Sequence, residues 1–132
     1  MRVLLDSNVW LAIVTTDGFC RSVWRRTRRK CKFPASRDIL DEVEEKLVAK
    51  FGFSFRHARL MTSFVERQTQ AARVISTINI CRDADDNRIL AASLDSRCSH
   101  LVTGDADLLV LKEFERISIV TPRQFLALIP MD

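Results

Sequence analysis

The amino-acid sequence predicts an α/β domain of three layers, in which a mostly parallel sheet of four to five strands lies between helices. Two observations carry this expectation. Short apolar, β-prone segments alternate with longer helical segments, and strands separated by helices need crossover connections, which make neighbouring strands parallel. The helical segments also repeat apolar residues on one face, so each has a side to bury. No internal repeat, low-complexity tract or linker-like stretch interrupts the alternation, and residues 1–132 read as one domain.

The opening VLLD, residues 3–6, is strand-like and ends on an acid. Two helical stretches follow, a short one over about Val9–Val14 and a longer one from Phe19 to about Cys31, ahead of a short strand at Phe33–Ala35. Ser36 stands as an N-cap before RDILDEVEEKLVAKF, where Ile39, Leu40, Val43, Leu47 and Phe51 fall on one helical face and the acids on the other. A further amphipathic helix runs from about Ser54 to Ala71. RVISTINIC, residues 73–81, predicts a β-rich stretch leading into the acidic turn RDADDN, after which NRILAASLDSR is helical. HLVTGDADLL predicts a strand that ends at Thr103 or Gly104 and gives way to a helix, and ISIV predicts a last strand. TPRQFLAL closes the chain as a helix, with Thr121 at the N-cap, Pro122 at the first helical position and Gln124 completing a capping box.

The chain has 132 residues, 47% hydrophobic and 29% charged, with three glycines and three prolines. A chain of this size buries roughly two-thirds of its unfolded surface, so it supports a core without disulfides or structural metal. So few glycines cannot write a phosphate-binding loop or a dinucleotide fingerprint. No apolar run approaches the roughly 20 residues that cross a bilayer, and Asp6 and Asn8 inside the opening apolar stretch argue against a cleaved secretory signal. Cys20, Cys31, Cys81 and Cys98 form no CxxC pair and no zinc or disulfide spacing, which predicts reduced thiols and a cytoplasmic protein. His57 and His100 have no partner at metal-ligand spacing, and Ser36 and Ser93 have no nucleophile-elbow context.

Net charge is +4 and unevenly placed, since RSVWRRTRRKCK, residues 21–32, carries most of the excess. On a helix Arg21, Arg25, Arg28, Arg29 and Lys32 share one face, opposite a side that includes Val23 and Trp24. Such a face is a candidate RNA-binding surface beside the acidic site, offering sequence-independent affinity for phosphates; the plain alternative is a solvated helix face. Trp10 and Trp24 are read either as stacking platforms for unpaired bases or as core or dimer-interface residues. The apolar helices around Trp24 and from Phe51 to Phe64 are candidate interface surfaces.

In an open parallel sheet, function gathers beyond the carboxyl ends of the strands. Four acids are placed for that edge: Asp6 ends the first strand, Glu42 lies in the first half of the helix after the second, Asp86 opens the helix after RVISTINIC, and Asp105 follows LVT, with Asp107 two residues on. Like charges gathered at one edge repel and raise one another's pKa unless a cation neutralises them. Mg²⁺ and Mn²⁺ prefer such oxygen ligands, and Mg²⁺ leans on one or two carboxylates plus substrate phosphate oxygens. Two ions about 4 Å apart activate water and stabilise the leaving oxygen in phosphodiester hydrolysis. Each acid also has a purely structural reading: Asp6 and Asp86 as helix caps, Glu42 as part of the solvated face DEVEE.

LLDSNVWL, an acid in ILDEVEEKL, DADDNRILAAS and LVTGDADLL, in that order and at these separations, resemble the PIN-domain family, most closely its bacterial toxin-type branch of VapC-like ribonucleases. The resemblance runs from Arg2 to about Leu128 and includes the closing IVTPRQFL. It implies that Asp6, Glu42, Asp86 and Asp105 are the metal-binding and catalytic quartet, with Asp107 a frequent fifth ligand, and that Asn8 and Thr103 support the site by hydrogen bonding. Asp86 is preferred because the family's acid precedes an Ile, Leu, Ala, Ala helix face by three residues, with Asp83 and Asp85 as competitors; Glu42 is preferred over Glu45 from the alignment of ILDEV. The resemblance further implies Mg²⁺- or Mn²⁺-dependent endonucleolytic cleavage of single-stranded or looped RNA leaving a 5′ phosphate, a homodimer, and a small antitoxin that blocks the site.

Other classes fit less well. An aspartyl phosphotransferase wants a second Asp two residues after the first, where this chain has Asn8; a response-regulator receiver would need paired acids near Asp6; a flap-type nuclease needs a longer chain. The remaining rival is a non-catalytic PIN-like module that binds RNA or protein, which has no need to concentrate carboxylates where phosphates must approach.

Overall fold

The computed structural model describes residues 1–130, so the last two positions of the expected domain lie outside the described residues. The elements run β1 (Val3–Leu5), α1 (Ser7–Thr15), α2 (Phe19–Thr27), β2 (Pro34–Ala35), α3 (Arg37–Ala49), α4 (Phe55–Gln68), β3 (Gln70–Ala71), α5 (Ala84–Asp95), β4 (His100–Val102), α6 (Ala106–Leu109), β5 (Glu113–Phe114), β6 (Ile117–Val120) and α7 (Pro122–Leu128). The central sheet has four strands in the order β1-β4-β6-β5. β1 pairs parallel with β4, with Leu5 opposite Val102, and β4 pairs parallel with β6. β5 closes the edge antiparallel to β6. The result is the α/β class with a mostly parallel sheet flanked by helices.

β2 pairs parallel with β3 in a separate two-stranded sheet. It is tied to β1 by a parallel bridge between Arg2 and Lys32, in which the Val3 amide donates to the Lys32 carbonyl at 2.9 Å. β1 and β4 are buried on both faces, as expected of strands covered by helices on either side. The core runs from Val3, Leu4, Leu101 and Val102 of these strands to Trp10, Ile39, Leu47, Leu90, Leu108 and Phe125 of the helices.

Helix boundaries follow local chemistry. Ser36, Ser54 and Thr121 each accept a backbone amide in the following turn, and Thr121 with Gln124 forms the expected reciprocal capping box. α2 ends at Thr27 rather than near Cys31: the buried Thr27 hydroxyl donates to the Val23 carbonyl at 2.9 Å, and the amides of Lys30 and Cys31 both turn back onto the Thr27 carbonyl. Arg29 and Lys32 therefore do not share a helical face with Arg21 and Arg25, whereas Arg28, the C-cap whose amide donates to the Trp24 carbonyl, still does. α4 stops at Gln68 rather than Ala71, because Gln70 and Ala71 pair with β2 instead. Phe51 lies past the end of α3, next to Gly52 at φ 75°, and is 42% exposed, so it does not join that helix's buried face.

The expected strand over residues 73–81 does not form. Residues 72–83 run without helix or strand, and side chains of α5 do the work of a neighbouring strand. Asp95 accepts the amides of Ile75 and Ser76 at 2.7 and 2.8 Å and the Ser76 hydroxyl. Asn87 accepts the amides of Ile80 and Cys81 at 3.2 and 2.8 Å and donates to the Cys81 carbonyl at 3.0 Å. With its backbone thus satisfied the strap leaves Ile75 76% exposed.

Trp10 is fully buried against Phe33, and Trp24 is buried against Phe64, each pair in edge contact, so neither indole is a surface platform for bases. All four cysteines are free thiols. Among the described residues no helix is long and apolar enough to cross a membrane.

Candidate active site

Asp6 directly follows β1, and its amide donates to the Val102 carbonyl at 2.9 Å, which fixes it at the carboxyl edge of the sheet. Its carboxylate is 5% exposed at the residue level and fully engaged. Oδ1 accepts the Ser7 amide at 2.7 Å and so caps α1; Oδ2 accepts the Thr103 hydroxyl at 2.8 Å and the Asn8 side-chain amide at 3.2 Å. Thr103, just past β4, uses the same hydroxyl oxygen to accept the Asp105 amide at 3.0 Å. Asn8 Oδ1 accepts the Gly104 amide at 3.1 Å. Asn8 and Thr103 thus lace the end of β1 to the loop after β4, and through them Asp6 and Asp105 hold a fixed relation.

Two helix caps bring in the other acids. Asp105 caps α6 by accepting the Asp107 amide at 2.9 Å, and Asp83 caps α5 by accepting the Asp85 amide at 2.8 Å. Asp86, in the first turn of α5, is buried, and one carboxylate oxygen each of Asp86, Asp105 and Asp107 lies within 4.8 Å of the others. Burial, then the Asp105 charge and a hydrogen bond with Asp105, push the Asp86 carboxyl up to about 6. Asp6 is also raised, first by burial and further by the charges of Glu42 and Asp105, against the opposing hydrogen bonds from Thr103 and Ser7. An all-oxygen donor set with this much unrelieved repulsion fits a hard divalent cation.

Glu42 projects from α3 toward the same edge but is held by its own helix: Lys46 Nζ lies 2.9 Å from its carboxylate. Lys46 is raised above the usual lysine value mainly by that hydrogen bond, with help from the charge of Glu42 and of Asp6. Glu42 and the more exposed Glu45 line one cleft of about 300 Å³ with Asp38, Asp41 and Asp85. Asp85 is engaged by Arg88, which also lies 3.4 Å from Asp38. Of the three acids in DADDN, then, Asp86 joins the converging group, Asp83 caps a helix and Asp85 sits in an ion pair at the surface.

The basic residues sit apart from these acids. Arg21 donates to the Ile13 carbonyl at 2.7 Å and Arg25 lies 3.4 Å from Asp17. Arg28, Arg29 and Lys32 lie toward the opposite edge, because Lys32 bridges Arg2 at the start of β1 whereas Asp6 follows its end. At roughly 3.3 Å per strand residue, four residues separate the two edges by about 13 Å. The expected basic face beside the acids is therefore absent, because the chain turns at Thr27. Two neighbours of the site escaped sequence analysis. Lys46 was visible as the i+4 partner of Glu42. Arg82, which lines a cavity of about 210 Å³ with Asp86, Asp107, Ile80 and Val110, gave no signal beyond its place before the acidic turn.

A family model described as the PIN domain matches residues 2–107. A search of the curated proteins finds no match. Among solved structures, the fold is similar to a chain in VapBC2 from Rickettsia felis bound to a DNA fragment from its promoter, with a TM-score of 0.68 and 10% identity over 90% of this chain and 97% of that one. It is also similar to the PIN domain endonuclease Utp24, with a TM-score of 0.50 and 17% identity over 89% of this chain and 82% of that one. At these identities the likeness is one of fold.

Proposed function

Because the chain belongs to the PIN-domain family, we propose that it is a divalent-metal-dependent endoribonuclease, with RNA as substrate and Mg²⁺ or Mn²⁺ as cofactor. The observation that carries this reading is the convergence of Asp86, Asp105 and Asp107 within 4.8 Å, with Asp86 driven up to about 6. A surface that only bound RNA would not set three carboxylates against its phosphates. Asp86, Asp105 and Asp107 would hold the metal, with Asp6 and Glu42 contributing negative charge behind them. When bound, the metal supplies activation of water and neutralisation of charge on the phosphodiester.

The chain's own residues do the positioning. Thr103 and Asn8 fix the Asp6 carboxylate so that it cannot rotate away from the edge, and Thr103 sets the backbone of Asp105. Partners of this kind typically change metal affinity or activity by about 10–100-fold when removed. Lys46 neutralises Glu42 until that carboxylate is drawn toward a cation. We further read the protein as the cytoplasmic toxin of a toxin–antitoxin pair, working as a homodimer and restrained by a small antitoxin; the likeness to a chain of VapBC2 supports the antitoxin partner.

The test is cleavage of a panel of labelled RNAs by the purified protein with Mg²⁺ or Mn²⁺, with EDTA, and with Asp105→Asn. Metal-dependent cutting that is lost in the variant is the expected result. No cutting of any RNA, together with no metal binding by calorimetry, would replace the nuclease with a non-catalytic RNA- or protein-binding module.

A further inference from the structure

We propose that the cleft at the edge of the sheet opposite the acids is a second nucleic-acid contact surface, which grips the phosphate backbone of an RNA away from the point of cleavage. The cleft has a volume of about 400 Å³ and is formed where the end of α2, the approach to β2 and the end of α4 meet. Arg28, Arg29, Lys32 and Arg67 line it, with Gln70 as a further polar group and Trp24 forming part of its floor. No acid lines it. All four cations are exposed, and among the described residues none of them has an acidic partner within ion-pair distance. Four surface arginines elsewhere do have one, Arg25 with Asp17, Arg37 with Asp41 and Glu66, Arg59 with Glu44 and Arg88 with Asp38, whereas exposed arginines such as Arg56 and Arg73 have none among the described residues.

What makes the cleft more than a basic stretch of sequence is that it gathers four such cations in one concavity with no acid among them. Four unpaired cations held in one concavity repel one another, and an anion that touches several of them relieves that repulsion. Three of the four are arginines, whose planar fork matches phosphate oxygens two at a time. Arg28 already lies over the Trp24 ring, with its guanidinium carbon 5.4 Å from the ring centroid, so part of its freedom is spent before any ligand arrives. The folded backbone also recruits Arg67, which lies far from residues 21–32 in sequence and joins them only because β3 pairs with β2. The choice of RNA over another polyanion rests on the nuclease reading above.

The test uses fluorescence anisotropy of a labelled single-stranded 20-nucleotide RNA with the full chain in EDTA, comparing wild type with the triple variant Arg28→Gln, Arg29→Gln, Arg67→Gln, and checking both for equal thermal stability. Each lost phosphate contact lowers the log–log salt slope by about 0.7 for single strands, so the variant should lose about 2 from the slope and roughly 10²-fold in affinity at 0.1 M salt. A dinucleotide, whose single phosphodiester cannot sit at both edges at once, should be cut by wild type and variant at the same rate in Mn²⁺. Unchanged RNA affinity and salt slope in the variant would overturn the proposal while leaving the nuclease intact. Equal affinity of wild type for a poly-glutamate chain of the same charge would also overturn it, because the cleft would then suit an acidic protein. Loss of RNA binding in the variant, with no RNA cut by wild type, would uphold the cleft and remove the nuclease.

Discussion

Replacing Asp86 by Asn should stabilise the metal-free protein at neutral pH, although it alters a buried residue of the candidate site. The carboxyl stands at about 6 in the folded chain against an ordinary value of 3.8. At ~1.36 kcal/mol per pH unit, that displacement makes the ionised form cost about 3 kcal/mol in the folded state. The sign follows from proton counting. Below pH 3.8 the group is protonated in both states and contributes nothing; between 3.8 and about 6 the folded state holds more protons than the unfolded, so stability falls as pH rises; above about 6 the full penalty is present. Asn cannot ionise and escapes the penalty. Urea melts in EDTA at pH 4, 5, 6 and 7.5 should therefore show the variant gaining about 3 kcal/mol on wild type across the range, a midpoint shift of about 2 M at a slope of ~1.5 kcal/mol/M. Asp95, which the Ser76 hydroxyl and amide hold below the usual carboxylate range, acts in the opposite direction but cancels in the comparison because both proteins carry it. Saturating Mn²⁺ should reverse the order, since only wild type keeps the full ligand set. Parallel pH curves separated by a constant offset would refute the reasoning, because packing changes do not titrate.

Two further substitutions probe how the site is held. Thr103→Val removes the one hydroxyl that both donates to Asp6 and accepts from Asp105; it should cost about 1–3 kcal/mol of stability and weaken Mn²⁺ binding by about 10–100-fold in calorimetry, and an unchanged affinity would show that the hydroxyl does not set the ligand geometry. Asn87→Ala releases the three hydrogen bonds that clamp Ile80 and Cys81 to α5; hydrogen exchange at those two amides should accelerate while the middle of α5 stays protected, and equal protection in both proteins would mean that the strap is held by something other than Asn87.

Where local signals and long-range packing agreed, the sequence was legible. The capping serines and threonines marked α3, α4 and α7 because each cap is satisfied within one turn, and β1, β4 and β6 were visible as short apolar runs ahead of acids or caps. Three features depended on partners that local pattern does not name. RVISTINIC has the composition of a strand, yet Asn87 and Asp95 satisfy its backbone from a helix. β5 and β6 join through Glu115 and Arg116, both at positive φ, 49° and 71°; a two-residue turn of that shape usually signals itself with Asn and Gly. Gln70 and Ala71 continue a helical pattern but are taken by β2. In the site, Asp6 and Asp105 were readable from their places just after strands, whereas Asn8 and Thr103 were indicated by the family resemblance alone. Among Asp83, Asp85 and Asp86, and between Glu42 and Glu45, the choice turns on burial and ion pairing, which spacing along the chain does not reveal.

The hydrogen bond between Thr103 and Asp6 spans 97 positions of the chain. A ribosome makes Asp6 almost at once but does not make its partner until most of the protein has emerged, and β1 has no neighbour in the central sheet before β4 appears. A chain cut short before residue 100 would carry Asp6, Glu42 and Asp86 but neither Thr103 nor Asp105. Asp6, among the first residues made, is therefore among the last to be secured, once Thr103 has emerged to hold it.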